Sequence, residues 1–315
     1  MDLVRGHTAL PANPQPASVT VGFFDGVHRG HQAVIGRTVE VGRERGLRPV
    51  AVTFDRHPRE TYAPGTEPPL LTTLERKAEL IASLGVETLL VLEFTREAAA
   101  WLPEDFVERI LVRGLGARSA AVGQNFTFGH KAMGTLATLE ELGRSHGFDV
   151  EGVPLLELDG RAVSSSSVRE ALSRGDLDWP ATVLGRSFVL DGRVIQGAGR
   201  GAGLGWPTAN LEIHPRLLVP GRGVYAGRAR LTDGSALAAA INVGTNPTFG
   251  SEPLHVEAYL LDFDGDLLGR PLALEFLARL RDERRFDSPD ELSAQIGRDV
   301  ERTQIVVAGA GQTVR

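Results

Sequence analysis

The feature that most constrains this chain is a change of texture near residue 185. Before it, short apolar runs alternate with segments of helical spacing; after it, apolar runs follow one another with little but turns between them. Residues 18–24, 49–54, 88–94, 119–123 and 150–156 read as strands, and the nearly all-apolar 49–54 must be covered on both faces. Between them, residues 32–45, 74–84, 103–112 and 136–147 show helical periodicity, with no hairpin signal intervening. That alternation predicts an α/β unit: an open parallel sheet with helices on both faces. Residues 172–184 read as a further helix closed by Gly185. Beyond it, residues 188–195, 223–231, 236–243, 256–263 and 272–280 read as strands, with Asp191-Gly192, Asp233-Gly234 and Asp264-Gly265 as turns. Closely spaced strands without helices predict a small antiparallel barrel. Only residues 289–305 are helical there, with Ser288 as N-cap and Pro289 at the first helical position. The expected division is therefore 1–184 and 185–315.

Composition removes several function classes. The chain has 315 residues, enough for two cores, and no cysteine, so disulfides, thiolate metal sites and cysteine nucleophiles are excluded. A net charge of −6 argues against bulk nucleic-acid binding while allowing a local basic pocket. No apolar run approaches the ~20 residues that span a bilayer. Pro11, Pro14 and Pro16 read as a loose leader rather than a targeting segment, so a cytoplasmic protein without a membrane partner is expected.

In a parallel sheet, ligands gather at the carboxyl ends of the strands. Three polar loops fall there. The first contains Gly22, Phe23, Asp25, Gly26, His28, Gly30 and His31, and puts both histidines on one face of a helix start. A helix N-terminus offers free N–H groups and positive potential, which suits phosphate and the charge that develops in its transfer. The alternative is a tight turn with two solvated histidines. The second loop reads Asp55-Arg56-His57-Pro58-Arg59, and the third carries Asn125, Phe126, Phe128, His130 and Lys131. As a set they resemble a nucleotide pocket, although His57, Phe126 and Phe128 taken singly are as consistent with packing. Further on, Ser164, Ser165, Ser166 and Ser167 run straight into Val168, Arg169, Ala171 and Leu172 at helical spacing. This is a second phosphate-ready helix start, with a flexible linker as its alternative.

The barrel half opens its chemistry with Gly197, Gly199, Gly201, Gly203 and Gly205, five glycines in nine residues, followed by Trp206-Pro207-Thr208-Ala209-Asn210. Such a loop lets backbone wrap closely around a ligand. It is neither a dinucleotide fingerprint, which leads into a helix, nor a Walker A loop, which needs glycine-lysine-serine/threonine. The stretch from Ile241 through Asn242 to Phe249 puts polar groups at a strand end. By alternation Glu257, Tyr259 and Leu261 share the face opposite Val256, Ala258 and Leu260. Glu257 either faces solvent or acts as a general base aimed into a cavity.

These residues resemble the prokaryotic bifunctional riboflavin kinase/FAD synthetase family. The motifs are G-x-F-D-G-V-H-x-G-H-Q, T-F-x-x-H-P and S-S-x-x-V-R in the first half. In the second they are G-R-G-x-x-L-G-x-P-T-A-N, P-x-x-G-V-Y-A, N-x-G-x-x-P-T, V-E…L-D-F-D-G-D-L and the run from Arg281 to Ser288. The resemblance implies a Rossmann-like nucleotidyltransferase domain and a riboflavin kinase-like barrel. The barrel would phosphorylate riboflavin to FMN with ATP, and the first half would adenylylate FMN to FAD, releasing pyrophosphate. It implies that His28 and His31 bind ATP phosphates and stabilise the transition state, with Gly22, Phe23, Asp25, Gly30, Asn125, Ser164, Ser165, Ser166 and Arg169 around the nucleotide. In the barrel it implies Glu257 as base, and Thr208 and Asn210 as Mg²⁺ ligands. Gly197, Gly199, Arg200, Gly201, Gly205, Pro207 and Asn242 would line the nucleotide and flavin. Arg56 stands where the family usually has proline, Ser166 where it has threonine, and Ala202 where it has arginine. A single retained activity, a nucleotidyltransferase for another substrate, and a non-catalytic flavin-binding regulator are the alternatives. Homo-oligomerisation is compatible with each.

Overall fold

The computed structural model describes residues 1–197, 200–245 and 254–312. Gly199 and residues 246–249 of the expected motifs lie outside the described residues, and no side chain is described for Arg200 or Ala202. The chain divides into two compact units, one of residues 1–68 and 73–164, the other of 69–72 and 165–315.

In the first unit, β1 (Asp2–Arg5), β2 (Ala17–Val21), β3 (Arg48–Phe54), β4 (Thr88–Leu92), β5 (Ala117–Gly123) and β6 (Asp149–Val153) form one sheet. Its order is β1-β4-β3-β2-β5-β6, and each pair is parallel. Two separate clusters explain why the strand runs are apolar throughout. Ala51, Leu89 and Val91 pack with Ile35, Val39 and Ile81 of helices Arg29–Arg45 and Leu74–Ser83. Val50, Val52, Leu90 and Leu92, from the alternate positions, pack with Phe106, Ile110, Leu111 and Leu139. The strand order reverses beside β2, where crossovers leave in opposite directions and a crevice opens at the carboxyl edge.

Several elements differ from the sequence expectation. The stretch expected to be a loose leader includes β1, which pairs Leu3 with Leu89 and Val4 with Leu90 at the sheet edge. Its residues are mostly exposed, so backbone pairing and not apolar content holds it. The helix expected over 103–112 is α-helical only at Pro103–Phe106 and widens to a π-helix at Val107–Gly114, still burying Ile110 and Leu111. Beyond the alternating stretch the chain adds a small hairpin. Asp159 and Gly160, at φ 51° and 71°, turn β7 (Glu157–Leu158) into β8 (Arg161–Ala162).

The second unit holds a closed antiparallel barrel of β9 (Phe188–Ile195), β10 (Ala209–Glu212), β11 (Gly223–Arg230), β12 (Ala236–Gly244), β13 (His255–Leu260) and β14 (Pro271–Arg281). The order β10-β13-β12-β11-β14-β9 returns to β10, so no edge is left for another chain to pair with. β10, the strand-like stretch after Pro207, adds a sixth strand to the five expected ones, and Asp191-Gly192 is no turn. Gly192 sits inside β9, where a Cβ would meet Ile213 at 2.8 Å and the Glu212 carbonyl at 3.0 Å. Tyr225 and Phe276 fill the interior edge to face, with ring centroids 5.2 Å apart. The expected helix 172–184 is two helices, Ser165–Ser173 and Asp178–Leu184, broken at Gly175 with φ +75°. Both group with the barrel unit. The last helix, Pro289–Gln312, runs past its expected end; Ser288 Oγ accepts from the Glu291 N–H at 3.2 Å, the N-cap anticipated. Its Val306 packs on Val224, Ala226 and Leu280 of the barrel wall.

β11 and β14 change register between Ala226 and Gly227, where a Cβ on Gly227 would clash with the Glu275 carbonyl oxygen. We expect Gly227→Ala to lower barrel stability by about 1–3 kcal/mol. Chemical denaturation with an unchanged midpoint would contradict that close approach.

Candidate active sites

The first candidate site is built on a strained turn. After β2 the chain takes left-handed backbone at Phe24 (φ 54°), Gly26 (φ 77°) and Val27 (φ 41°). For phenylalanine and especially β-branched valine this costs about 1–3 kcal/mol each. Phe24 and Val27 are 3% and 1% exposed in the core cluster of Ile35, Val39 and Ile81. Burial worth about 1.5–3 kcal/mol per side chain matches the strain, so the core and not local preference holds the turn.

The turn sets His28 as N-cap of helix Arg29–Arg45, its Nδ1 accepting from the His31 backbone N–H at 3.3 Å. With Nδ1 as acceptor, a neutral His28 carries its proton on Nε2 and presents a donor there. The His28 and His31 rings stack, centroids 3.6 Å apart and 18° from parallel, and His31 meets the edge of Phe24 at 5.3 Å. At Gly30 a Cβ would come 3.2 Å from the His28 ring, which would have to shift by a few tenths of an ångström to admit it. Asp25, buried to 2% exposure, starts the turn. Gly22 has no room for a Cβ, which would fall 2.6 Å from the Phe24 ring. On the far side of the switch point, exposed Asn125 follows β5, its Oδ1 lying 3.2 Å from where a Gly123 Cβ would be. Ser164 closes the first unit, whereas Ser165, Ser166 and Arg169 start a helix of the second; the Arg169 Nε donates to the Pro69 carbonyl at 2.7 Å.

The second polar loop has a structural explanation. His57 caps the short helix Pro58–Tyr62, accepting from Arg59 N–H at 3.1 Å while Glu60 accepts from the His57 N–H at 3.1 Å. Its ring meets the edge of Phe23, centroids 5.0 Å apart. Arg56, the departure from family proline, forms an exposed ion pair with Asp55 at 2.9 Å.

Beside the turn lies an apolar cavity of about 300 Å³, walled by Phe23, Phe54, Phe94, Trp101, Phe126 and Phe128, with Glu93 and His7 as polar members. Phe126 and Phe128 stack at 5.4 Å and 11°. Of these walls, Phe23, Phe126 and Phe128 are candidates in the sequence. Phe54, Phe94 and Trp101 come from three separate segments, and only the fold brings them together.

No local motif marks Lys77. It is 3% exposed, with Nζ 4.1 Å above the Phe23 ring centroid and 3.4 Å from Thr53 Oγ1. Burial pushes its pKa down to about 8, against the attraction of Asp25.

The second candidate site rests on strand register. In the barrel, Glu257 on β13 stands directly opposite Asn210 on β10 and Asn242 on β12, giving a carboxylate flanked by two carboxamides in one row. Val256, Ala258 and Leu260 are buried, so Glu257 lies on the other face, its side chain 22% exposed. His255 Nε2 is 3.7 Å from a Glu257 carboxylate oxygen. Gly197 has no room for a Cβ against the Asn210 carboxamide, and one on Gly201 would clash with the Trp206 carbonyl while lying 3.3 Å from Thr208 Oγ1. Gly205 takes φ +83° before Trp206-Pro207-Thr208. Trp206 Nε1 donates to Ser293 Oγ at 3.0 Å, and its ring meets Tyr259 edge on at 5.2 Å, fastening the glycine loop to the last helix. Glu283 Oε1 accepts from Thr245 N–H at 2.8 Å, and Arg281 forms a bidentate pair with Asp299 at 2.9 and 2.7 Å. That explains the charged run after β14: it pins the end of β12 and the last helix.

The FAD synthetase family matches residues 10–167, and the riboflavin kinase family residues 184–307. A Pseudomonas fluorescens bifunctional riboflavin kinase/FMN adenylyltransferase is 40% identical over 98% of both chains. This chain belongs to the bifunctional riboflavin kinase/FMN adenylyltransferase family. Members of the same name from Escherichia coli and Bacillus subtilis are 37% and 34% identical, over 95% and 94% of this chain and 96% and 94% of theirs. The fold is shared with a crystal structure described as a macrolide-efflux protein from Streptococcus pneumoniae, at TM-score 0.84 and 27% identity over 96% of this chain and 99% of that one. The efflux in that description belongs to that protein. Among the described residues of this one, no helix is long and apolar enough to cross a membrane.

Lys77 also gives a pH dependence. Its folded pKa of about 8 lies below the ordinary 10.5, so at neutral pH the buried ammonium opposes folding. The penalty, about 3 kcal/mol, fades as pH rises from about 8 toward the unfolded value, because there the unfolded chain binds the extra proton. We expect the difference in unfolding free energy between Lys77→Met and the parent to favour the variant at pH 7 and shrink as the parent gains stability above pH 8. A difference independent of pH would contradict the buried charge.

Proposed function

We propose that the chain phosphorylates riboflavin at the barrel and adenylylates the resulting FMN at the sheet edge, with ATP as co-substrate in both steps. The observation carrying this reading is that each unit holds its own polar cluster on a buried scaffold: the stacked histidines in one, the Asn210–Glu257–Asn242 row in the other. We assign phosphorylation to residues 185–315 and adenylyl transfer to 1–184.

In the barrel, Glu257 takes the proton of the riboflavin 5′-hydroxyl as its oxygen attacks the γ-phosphorus, and ADP leaves. Asn210 and Asn242 flank Glu257 on the neighbouring strands, and the glycine loop encloses the nucleotide. Thr208 and Asn210 fit Mg²⁺ in donor type: both offer hard oxygens, and Glu257 faces Asn210. Among the described residues no group of three or more acids or histidines forms a cage, as suits an ion held partly by substrate phosphates. When bound, Mg²⁺ would neutralise phosphate charge.

At the sheet edge, an FMN phosphate oxygen attacks the α-phosphorus of ATP and pyrophosphate leaves. No proton need be abstracted from a phosphate dianion, so the demand is for positioning and charge stabilisation. His28 Nε2–H, His31 and the helix N-terminus supply it. The aromatic cavity suits a planar isoalloxazine ring, which would stack on its walls. We place both steps in the cytoplasm, where ATP is available.

The test is incubation with riboflavin, ATP and Mg²⁺, following FMN and FAD by chromatography; absence of both products overturns the proposal. Glu257→Ala should lower FMN formation by roughly 10²–10⁴-fold, the usual worth of a general base, and still convert supplied FMN to FAD. Loss of both activities in that variant would contradict separate sites.

A further inference from the structure

Lys77 lies outside the motifs that carry the family resemblance, yet its side chain ends beside the turn that carries the histidines. It leaves helix Leu74–Ser83 and reaches the carboxyl edge of the sheet, with Nζ over the Phe23 ring and beside Thr53 Oγ1. The Thr53 hydroxyl in turn donates to the Phe23 carbonyl at 3.0 Å. Phe23 is thus fixed through its carbonyl by Thr53, through its face by the ammonium and through its edge by His57. The next residue begins the left-handed turn that delivers His28 and His31.

We propose that Lys77 is a positioning residue for adenylyl transfer: its ammonium, set over Phe23 and attracted to Asp25, fixes the turn that presents both histidines and adds buried positive charge where phosphates arrive. The inference rests on reading that turn as the adenylyl-transfer site.

Two physical points favour it. An apolar side chain of similar length would fill the same space without a desolvation penalty, so packing alone gives no reason for a cation. A buried cation retained at the edge of a phosphate site is explained when the bound state needs its charge. The groups facing Nζ are Asp25 from the turn, Thr53 from β3 and the Phe23 ring. His57 lies beyond the Phe23 ring, and His31 packs on Phe24. Asp25 is the charged one, and phosphates brought to the turn would add attraction for the ammonium.

The experiment uses the full chain with Lys77→Met. FMN formation from riboflavin should be unchanged, and the thermal midpoint equal or higher. FAD formation from supplied FMN should fall by roughly 10²-fold in kcat, the scale expected for misplaced catalytic groups, with KM for FMN little altered. FAD formation at the parent rate would overturn the proposal, as would parallel loss of both activities with a lowered midpoint, which marks a merely structural residue. A parent that makes no FAD from FMN would instead overturn the proposed function itself. Because Lys77 and Lys131 are the only lysines, lysine labelled with ¹³C at Cε gives two side-chain signals. Saturating non-hydrolysable ATP analogue should raise the Lys77 titration midpoint; an unmoved midpoint would overturn the electrostatic role.

Discussion

The adenylyl-transfer half depends on one constraint: a turn whose backbone is unfavourable in isolation is held by the burial of its own side chains. Phe24 and Val27 sit in left-handed backbone because their side chains complete the core between the sheet and helices Arg29–Arg45 and Leu74–Ser83. That geometry makes His28 the helix cap and His31 its stacked neighbour. It also opens Phe23 toward the aromatic cavity. Lys77 extends the same logic. The chain carries a buried charge that opposes folding at neutral pH, set against the ring of Phe23 at the start of that turn.

The kinase half reaches its arrangement by a different route. Glu257, Asn210 and Asn242 come from three strands, and only ladder register sets them in one row. A slip of one residue on β13 would turn Glu257 to the barrel interior and bring Val256 or Ala258 outward. Closure of the barrel removes free edges and makes such a slip costly. Trp206 and the charged run after β14 then tie the glycine loop and the end of β12 down. One centre is fixed by strain offset in a core, the other by register in a closed sheet.

Much of this was legible in the residues. The alternation before residue 185 and the crowded strands after it announced a parallel sheet and a barrel, and the histidine turn, glycine loop and Glu257 stood out by type and spacing. The misses have physical causes. β1 owes its place to pairing with β4 and is too exposed to read as a buried strand. Asp191-Gly192 has turn chemistry but lies in a strand, because Gly192 answers a close approach by Glu212 and Ile213. The serine-rich helix start reads as part of the first half and the FAD synthetase match runs through it to residue 167, while by tertiary contact the chain from Ser165 groups with the barrel unit. For His57 the packing alternative describes its Nδ1 and ring, which serve a helix cap and an aromatic contact. The aromatic cavity and Lys77 draw on separated segments, and no local pattern marks them.

We propose that the two centres work independently and in series, with FMN released between them. The most direct test mixes two full-length variants, Glu257→Ala and the double variant His28→Ala/His31→Ala, and supplies riboflavin, ATP and Mg²⁺. We expect that neither variant alone makes FAD from riboflavin, whereas the mixture does so after a lag in which FMN accumulates. FAD from either variant alone, or no FAD from the mixture, would contradict it.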